Sequence, residues 1–109
     1  MLNILLADND YTYIKNIFNK ISLKLKENFD IIGICSSGDK VLEYILNTKI
    51  DIIILELNLP KVGGIDILKE LKKRNINIPT IILSKNSDLV FKIKNSILIL
   101  GYYFFFYLV

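Results

Sequence analysis

The stretch "DIIILELNLPKVGG", residues 51–64, decides how the chain is read. Four consecutive branched apolar residues, Ile52 to Leu55, form a short run apolar on both faces, which predicts a fully buried strand over 51–55. A carboxylate, Glu56, follows at once, then an Asn-Leu-Pro turn closed by Gly63 and Gly64. A charged side chain at the mouth of a buried strand needs a reason. In open parallel sheets that reason is chemistry, because ligands gather at the carboxyl ends of the strands.

The same grammar repeats on either side. "LNILLA" (2–7) is an apolar run that stops at Asp8, and "DIIGICS" (30–36) is a second strand. Between them Ile14, Ile17, Phe18, Ile21 and Leu25 recur at helical spacing, with Lys15, Asn19, Lys20, Lys24 and Lys26 opposite. Gly38 opens a helix whose inward stripe is Val41, Leu42, Ile45 and Leu46. After the glycine turn, Ile65, Leu68 and Leu71 mark a third helix with Lys69, Glu70, Lys72 and Lys73 outward. "IPTIILS" (78–84), a helix over Asp88–Leu98 and the aromatic run "YYFFFYLV" (102–109) complete the order βαβαβαβαβ. Strands apolar on both faces and joined by helices predict a three-layer, doubly wound α/β domain with a parallel sheet.

At 109 residues the chain is read as one domain, 1–109, and the 52% hydrophobic content fits a globular core rather than disorder. Cys35 is the single cysteine and there is no histidine, which excludes internal disulfides, zinc sites and histidine-based catalysis. The net charge of +3 comes from lysines spread over helical faces, and Arg74 is the lone arginine. A nucleic-acid partner would need clustered basic residues, so none is expected. No signal peptide is read at the N-terminus, and the apolar tail from Ile97 is short of a bilayer span and divided by Gly101. A cytoplasmic location is expected, with a membrane-anchored tail as the minor alternative.

Three polar features should meet at the carboxyl edge of the sheet. "ADND" sets Asp8, Asn9 and Asp10 between a strand and a helix, where capping of the helix is the plain explanation. Glu56 with Asn58, Pro60 and Gly64 reads otherwise as a turn, and Ser84 as a strand-end hydroxyl. Together they form an oxygen-rich set suited to Mg²⁺ and to holding a phosphoryl group.

On "ILLADND", "DIIILELNLPKVGGIDILKEL", "IPTIILS" and, more weakly, "GYYFFFYL", the chain resembles a response-regulator receiver domain of two-component signalling. That resemblance implies a flavodoxin-like strand order 2-1-3-4-5. It also implies that the acidic pair falls on Asp8 and Asn9, the phosphoacceptor position on Glu56 and the metal-ligating carbonyl on Asn58. The switch hydroxyl falls on Ser84, the switch aromatic on Phe105, the invariant lysine on Leu108 and the proline after it on Val109. One acid, the nucleophile and the lysine therefore depart from the family pattern. Lys85 is a candidate substitute cation, although strand alternation points it away from the direction of Ser84.

The resemblance implies a signalling module partnered by a histidine kinase or another signalling protein, and no enzyme. Weak Mg²⁺ binding through Asp8, Glu56 and Asn58 and no stable phosphorylation are expected. Glu56 either mimics the phosphorylated state or marks a silent site. The chain stops where the family's last helix would begin, and self-association is expected through the 88–98 helix and the aromatic strand, at Phe104, Phe105, Phe106 and Tyr107. A Mg²⁺-dependent phosphatase of similar topology and a flavodoxin-like binding protein stand as alternatives. The first lacks a nucleophilic Asp and a cation. The second lacks a phosphate loop, because "ADND" is acidic.

Overall fold

The structure is a computed structural model and describes residues 1–25, 28–84, 88 and 103–107. Five strands and three helices are assigned among them: β1 (Leu2–Ala7), α1 (Tyr11–Leu25), β2 (Phe29–Cys35), α2 (Gly38–Asn47), β3 (Ile52–Glu56), α3 (Gly64–Lys73), β4 (Thr80–Ser84) and β5 (Tyr103–Tyr107). The strands form one parallel sheet in the order β2-β1-β3-β4-β5, the doubly wound order expected. The expected helix over 88–98 lies outside the described residues apart from Asp88. The tail from Ile97 does so apart from β5, and Lys85, Leu108 and Val109 also fall outside.

Strand alternation sorts the core into two layers. Leu5, Ala7, Ile53, Leu55 and Ile82 pack with Val41 and Ile45 of α2 and with Ile67, Leu68 and Leu71 of α3. Ile4, Leu6, Ile54 and Leu83 pack on the other face with Ile14 of α1. Both faces of the central strands are thus covered, which is why β1 and β3 read as unbroken apolar runs. Asp8 and Glu56 continue the even-numbered set of their strands, so both belong to the α1 face.

Several expectations are corrected in detail. Phe18, assigned to the inward stripe of α1, is 43% exposed, and Leu46, assigned to that of α2, is 49% exposed. Each lies at the margin of a stripe whose centre, Ile14 or Val41 and Ile45, takes the buried position. Periodicity locates such a face but does not fix its width. Ile67 is fully buried although the i, i+3 count passed over it. The strand bounds differ slightly from the apolar runs. β2 spans Phe29–Cys35 rather than 30–36, and β4 begins at Thr80 rather than Ile78, while β5 is described over Tyr103–Tyr107 and the rest of the 102–109 run lies outside the described residues. β3 runs on to include Glu56.

Candidate functional site

The sheet's carboxyl edge is built by register. Ala7 pairs with Leu55 across β1 and β3, so Asp8 and Glu56 come next on adjacent strands. Glu56 is in turn the register partner of Leu83, which puts Ser84 one step further along β4. Asp8 is 2% exposed and Glu56 8%, so the edge holds two nearly buried carboxyl side chains. Burying a charged group is costly unless its oxygens are engaged. Each of these two carboxylates is engaged by the backbone just beyond its own strand.

Asp8 Oδ1 accepts the N–H of Asp10 at 2.9 Å, and the Asp8 N–H donates to the Cys35 carbonyl at 3.0 Å. Asp10 Oδ1 accepts the N–H of Tyr13 at 3.1 Å. The capping explanation for "ADND" therefore holds for Asp10, which caps α1, and not for Asp8, which stays at the strand end. Asn9 is exposed.

Glu56 Oε1 accepts the N–H of Asn58 at 3.0 Å, which folds the carboxylate back over its own turn. The turn itself is rigidly braced. Gly64 N–H donates to the Leu57 carbonyl at 2.9 Å, and Gly38 N–H reaches the Pro60 carbonyl at 3.1 Å. A Cβ at Gly64 would lie 2.7 Å from the Leu57 Cα, and one at Gly38 would run into the Val62 carbonyl. Glycine at these two places lets the chain after β3 close against itself and against the start of α2. That closure holds the Glu56 and Asn58 backbone in place.

Tyr13 belongs to the site and was missed in the sequence. Its side chain is half-buried and packs on the Ile4, Leu6, Ile14, Ile54, Leu83 cluster. Burial, followed by the charges of Asp8 and Glu56, pushes its phenol above the ordinary value of 10.0. The available signal was its place in the first turn of a helix that starts three residues after Asp8. It sits one position before the apolar stripe, so periodicity alone passed it over.

The residue pattern and the fold agree with the comparisons. The profile of the response regulator receiver domain matches residues 4–101. The chain belongs to that family. It is 34% identical over 83 residues to the protein-glutamate methylesterase/protein-glutamine glutaminase of Treponema denticola, covering 76% of this chain and 22% of that protein. It is 32% identical over 83 residues to the nitrate/nitrite response regulator protein homolog of Haemophilus influenzae, covering 76% and 39%. The receiver domain of the Francisella response regulator 1452 superposes with a TM-score of 0.65 at 34% identity, covering 86% of this chain and 74% of that one. This receiver thus spans well under half the length of the two curated relatives.

The positions carried over from the family fall as follows. Asp8 and Glu56 lie side by side, the Asn58 backbone is bonded to Glu56, and Ser84 ends the next strand on the same edge. Phe105 stands two steps before that end on β5, paired with Ile82, while Ser84 pairs with Tyr107. Receivers bind Mg²⁺ at this place in the fold, and the donor set here suits a hard dication in kind. Asp8, Glu56 and the Asn58 carbonyl are the groups that would hold it, and the ion would offset negative charge at the edge. Among the described residues no group of three or more carboxylate, thiol or imidazole side chains gathers in metal-binding array, so such an ion would rely on carbonyl and water ligands. No described helix is long and apolar enough to cross a membrane.

Proposed function

We propose that this receiver is an atypical signalling module that works as a phosphorylation-independent or phosphomimetic protein-interaction domain. The observation that carries the reading is the hydrogen bond from the Asn58 N–H to Glu56 Oε1. A Glu oxygen reaches past the place an Asp oxygen would occupy, by roughly the length of one C–C bond. That reach brings negative charge to the backbone N–H of the turn, where an outer oxygen of a phosphorylated Asp would otherwise stand. Glu56 supplies the charge without a covalent group. It cannot readily serve as a phosphoryl acceptor from the same spot, because in-line transfer depends on placement to within about 1 Å.

In this reading Asp8 and Glu56, with the Asn58 carbonyl, bind Mg²⁺ weakly, since Asn9 contributes an amide where the family has a carboxylate. Ser84 and Phe105 keep the switch positions, and Leu108 leaves the lysine position without charge. The partners are a histidine kinase or another signalling protein, in a cytoplasmic two-component pathway, and a second copy of the chain through the 88–98 segment and β5. Neither a nucleic-acid partner nor an enzymatic role is assigned to this chain.

Sedimentation velocity over a range of concentrations tests the interaction role. Self-association without any phosphodonor is expected. A monomer that dimerises only after a phosphodonor is added would overturn the reading.

A further inference from the structure

Tyr13 is tied to the site from two directions. Its backbone N–H donates to Asp10 Oδ1 at 3.1 Å, and the Asp10 N–H donates to Asp8 Oδ1 at 2.9 Å, so the first turn of α1 is fastened to Asp8. Its ring packs on the cluster that contains Leu6 and Ile54. Those residues precede Asp8 and Glu56 by two positions on their strands, so by alternation the carboxylates continue the surface on which the ring rests. A ring anchored there brings its hydroxyl to the rim formed by the two strand ends. The influence of both negative charges on the phenol agrees with that placement. Because the phenol holds its proton at neutral pH, it is available as an O–H donor.

We propose that Tyr13 is a positioning residue whose hydroxyl donates to the Asp8–Glu56 pair and has to be displaced by an arriving divalent cation. Tyr13 would thereby set how tightly this receiver holds Mg²⁺. An O–H donor and a metal ion seek the same oxygen lone pairs, so the protein's own donor competes with the ion. When the ion binds, the phenol must turn away or offer its oxygen lone pair instead. The cation half of this inference rests on the Mg²⁺ reading above, whereas the donor half stands without it.

Tyr13→Phe keeps the ring and its packing and removes the hydroxyl alone. Calorimetric titration with Mg²⁺ is expected to show binding roughly three- to tenfold tighter in Tyr13→Phe than in the wild type, the range of one lost hydrogen bond. In EDTA the same variant should have a lower urea midpoint. That drop should shrink by half or more in the background of Glu56→Gln or of Asp8→Asn. Unchanged or weaker Mg²⁺ binding in Tyr13→Phe would overturn the competition. A midpoint drop that is the same in all backgrounds would overturn the donor role. If neither protein binds Mg²⁺ at millimolar concentrations, the metal reading of the site falls, and the urea cycle alone decides the role of Tyr13.

Discussion

Asp8 and Glu56 stand next to each other across β1 and β3, one step beyond the Ala7–Leu55 register pair, and both are almost completely buried. Two carboxylates so placed repel each other in a medium of low dielectric. Glu56→Gln removes one charge yet keeps the amide oxygen that can accept the Asn58 N–H. In EDTA the variant is expected to be more stable than the wild type by roughly 0.5–2 kcal/mol in urea denaturation. Any stabilisation by Mg²⁺ seen in the wild type should be lost, since a ligand stabilises only the state that binds it. A variant less stable than the wild type would show that the carboxylate pair is not under repulsion.

The turn after β3 depends on close backbone approach at two glycines. Gly64→Ala sets a Cβ 2.7 Å from the Leu57 Cα and 3.0 Å from the Glu56 carbonyl oxygen. Backbone atoms cannot yield as a flexible side chain would, so a loss of about 1–3 kcal/mol is expected. The clash also disturbs the Asn58–Glu56 bond. Amide exchange at Asn58 should therefore speed up by more than the loss of global stability explains.

Core truncations should follow burial rather than periodicity. Leu68 of α3 is fully buried and Leu46 of α2 is half exposed, although both sit on the apolar stripe of their helix. Leu68→Ala is expected to cost about 2–5 kcal/mol. Leu46→Ala should cost less than about 1 kcal/mol. Comparable losses at the two positions would contradict the packing described for α2.

The Cys35 thiol is pushed up to about 11, chiefly by burial, then by the charge of Glu43, with Lys40 opposing and Asp39 adding. The folded state therefore keeps the thiol proton at pH values where the unfolded chain, with an ordinary value near 9.0, has lost it. This contribution to stability is fully present below about pH 9 and is lost as pH rises toward 11. Urea midpoints across that window should fall more steeply for the wild type than for Cys35→Ala. At neutral pH a thiol reagent should label Cys35 only as fast as the protein opens.

Much of this architecture was legible because its strands are buried on both faces. Runs such as Ile52–Leu55 need no alternation to be recognised, and a charge directly after such a run marks a strand end. The same reasoning found Asp8, Glu56 and Ser84 on one edge, since parallel strands all end there. Tyr13 was not legible in that way. Its role depends on how α1 lies across the strand ends, which is a tertiary fact that no local spacing encodes. The register of β5 was equally hidden, because "YYFFFY" presents an apolar aromatic at every step, and only pairing with β4 sets Tyr103 against Thr80.

Glu56 is proposed to carry negative charge at the phosphoacceptor position without being phosphorylated. Intact-mass measurement after incubation with Mg²⁺ and a small acyl phosphate, beside a receiver that has an Asp at this position, tests it most directly. The Asp-bearing receiver should gain the mass of one phosphoryl group while this chain stays at its unmodified mass. A stoichiometric phosphoryl adduct on this chain would contradict the claim.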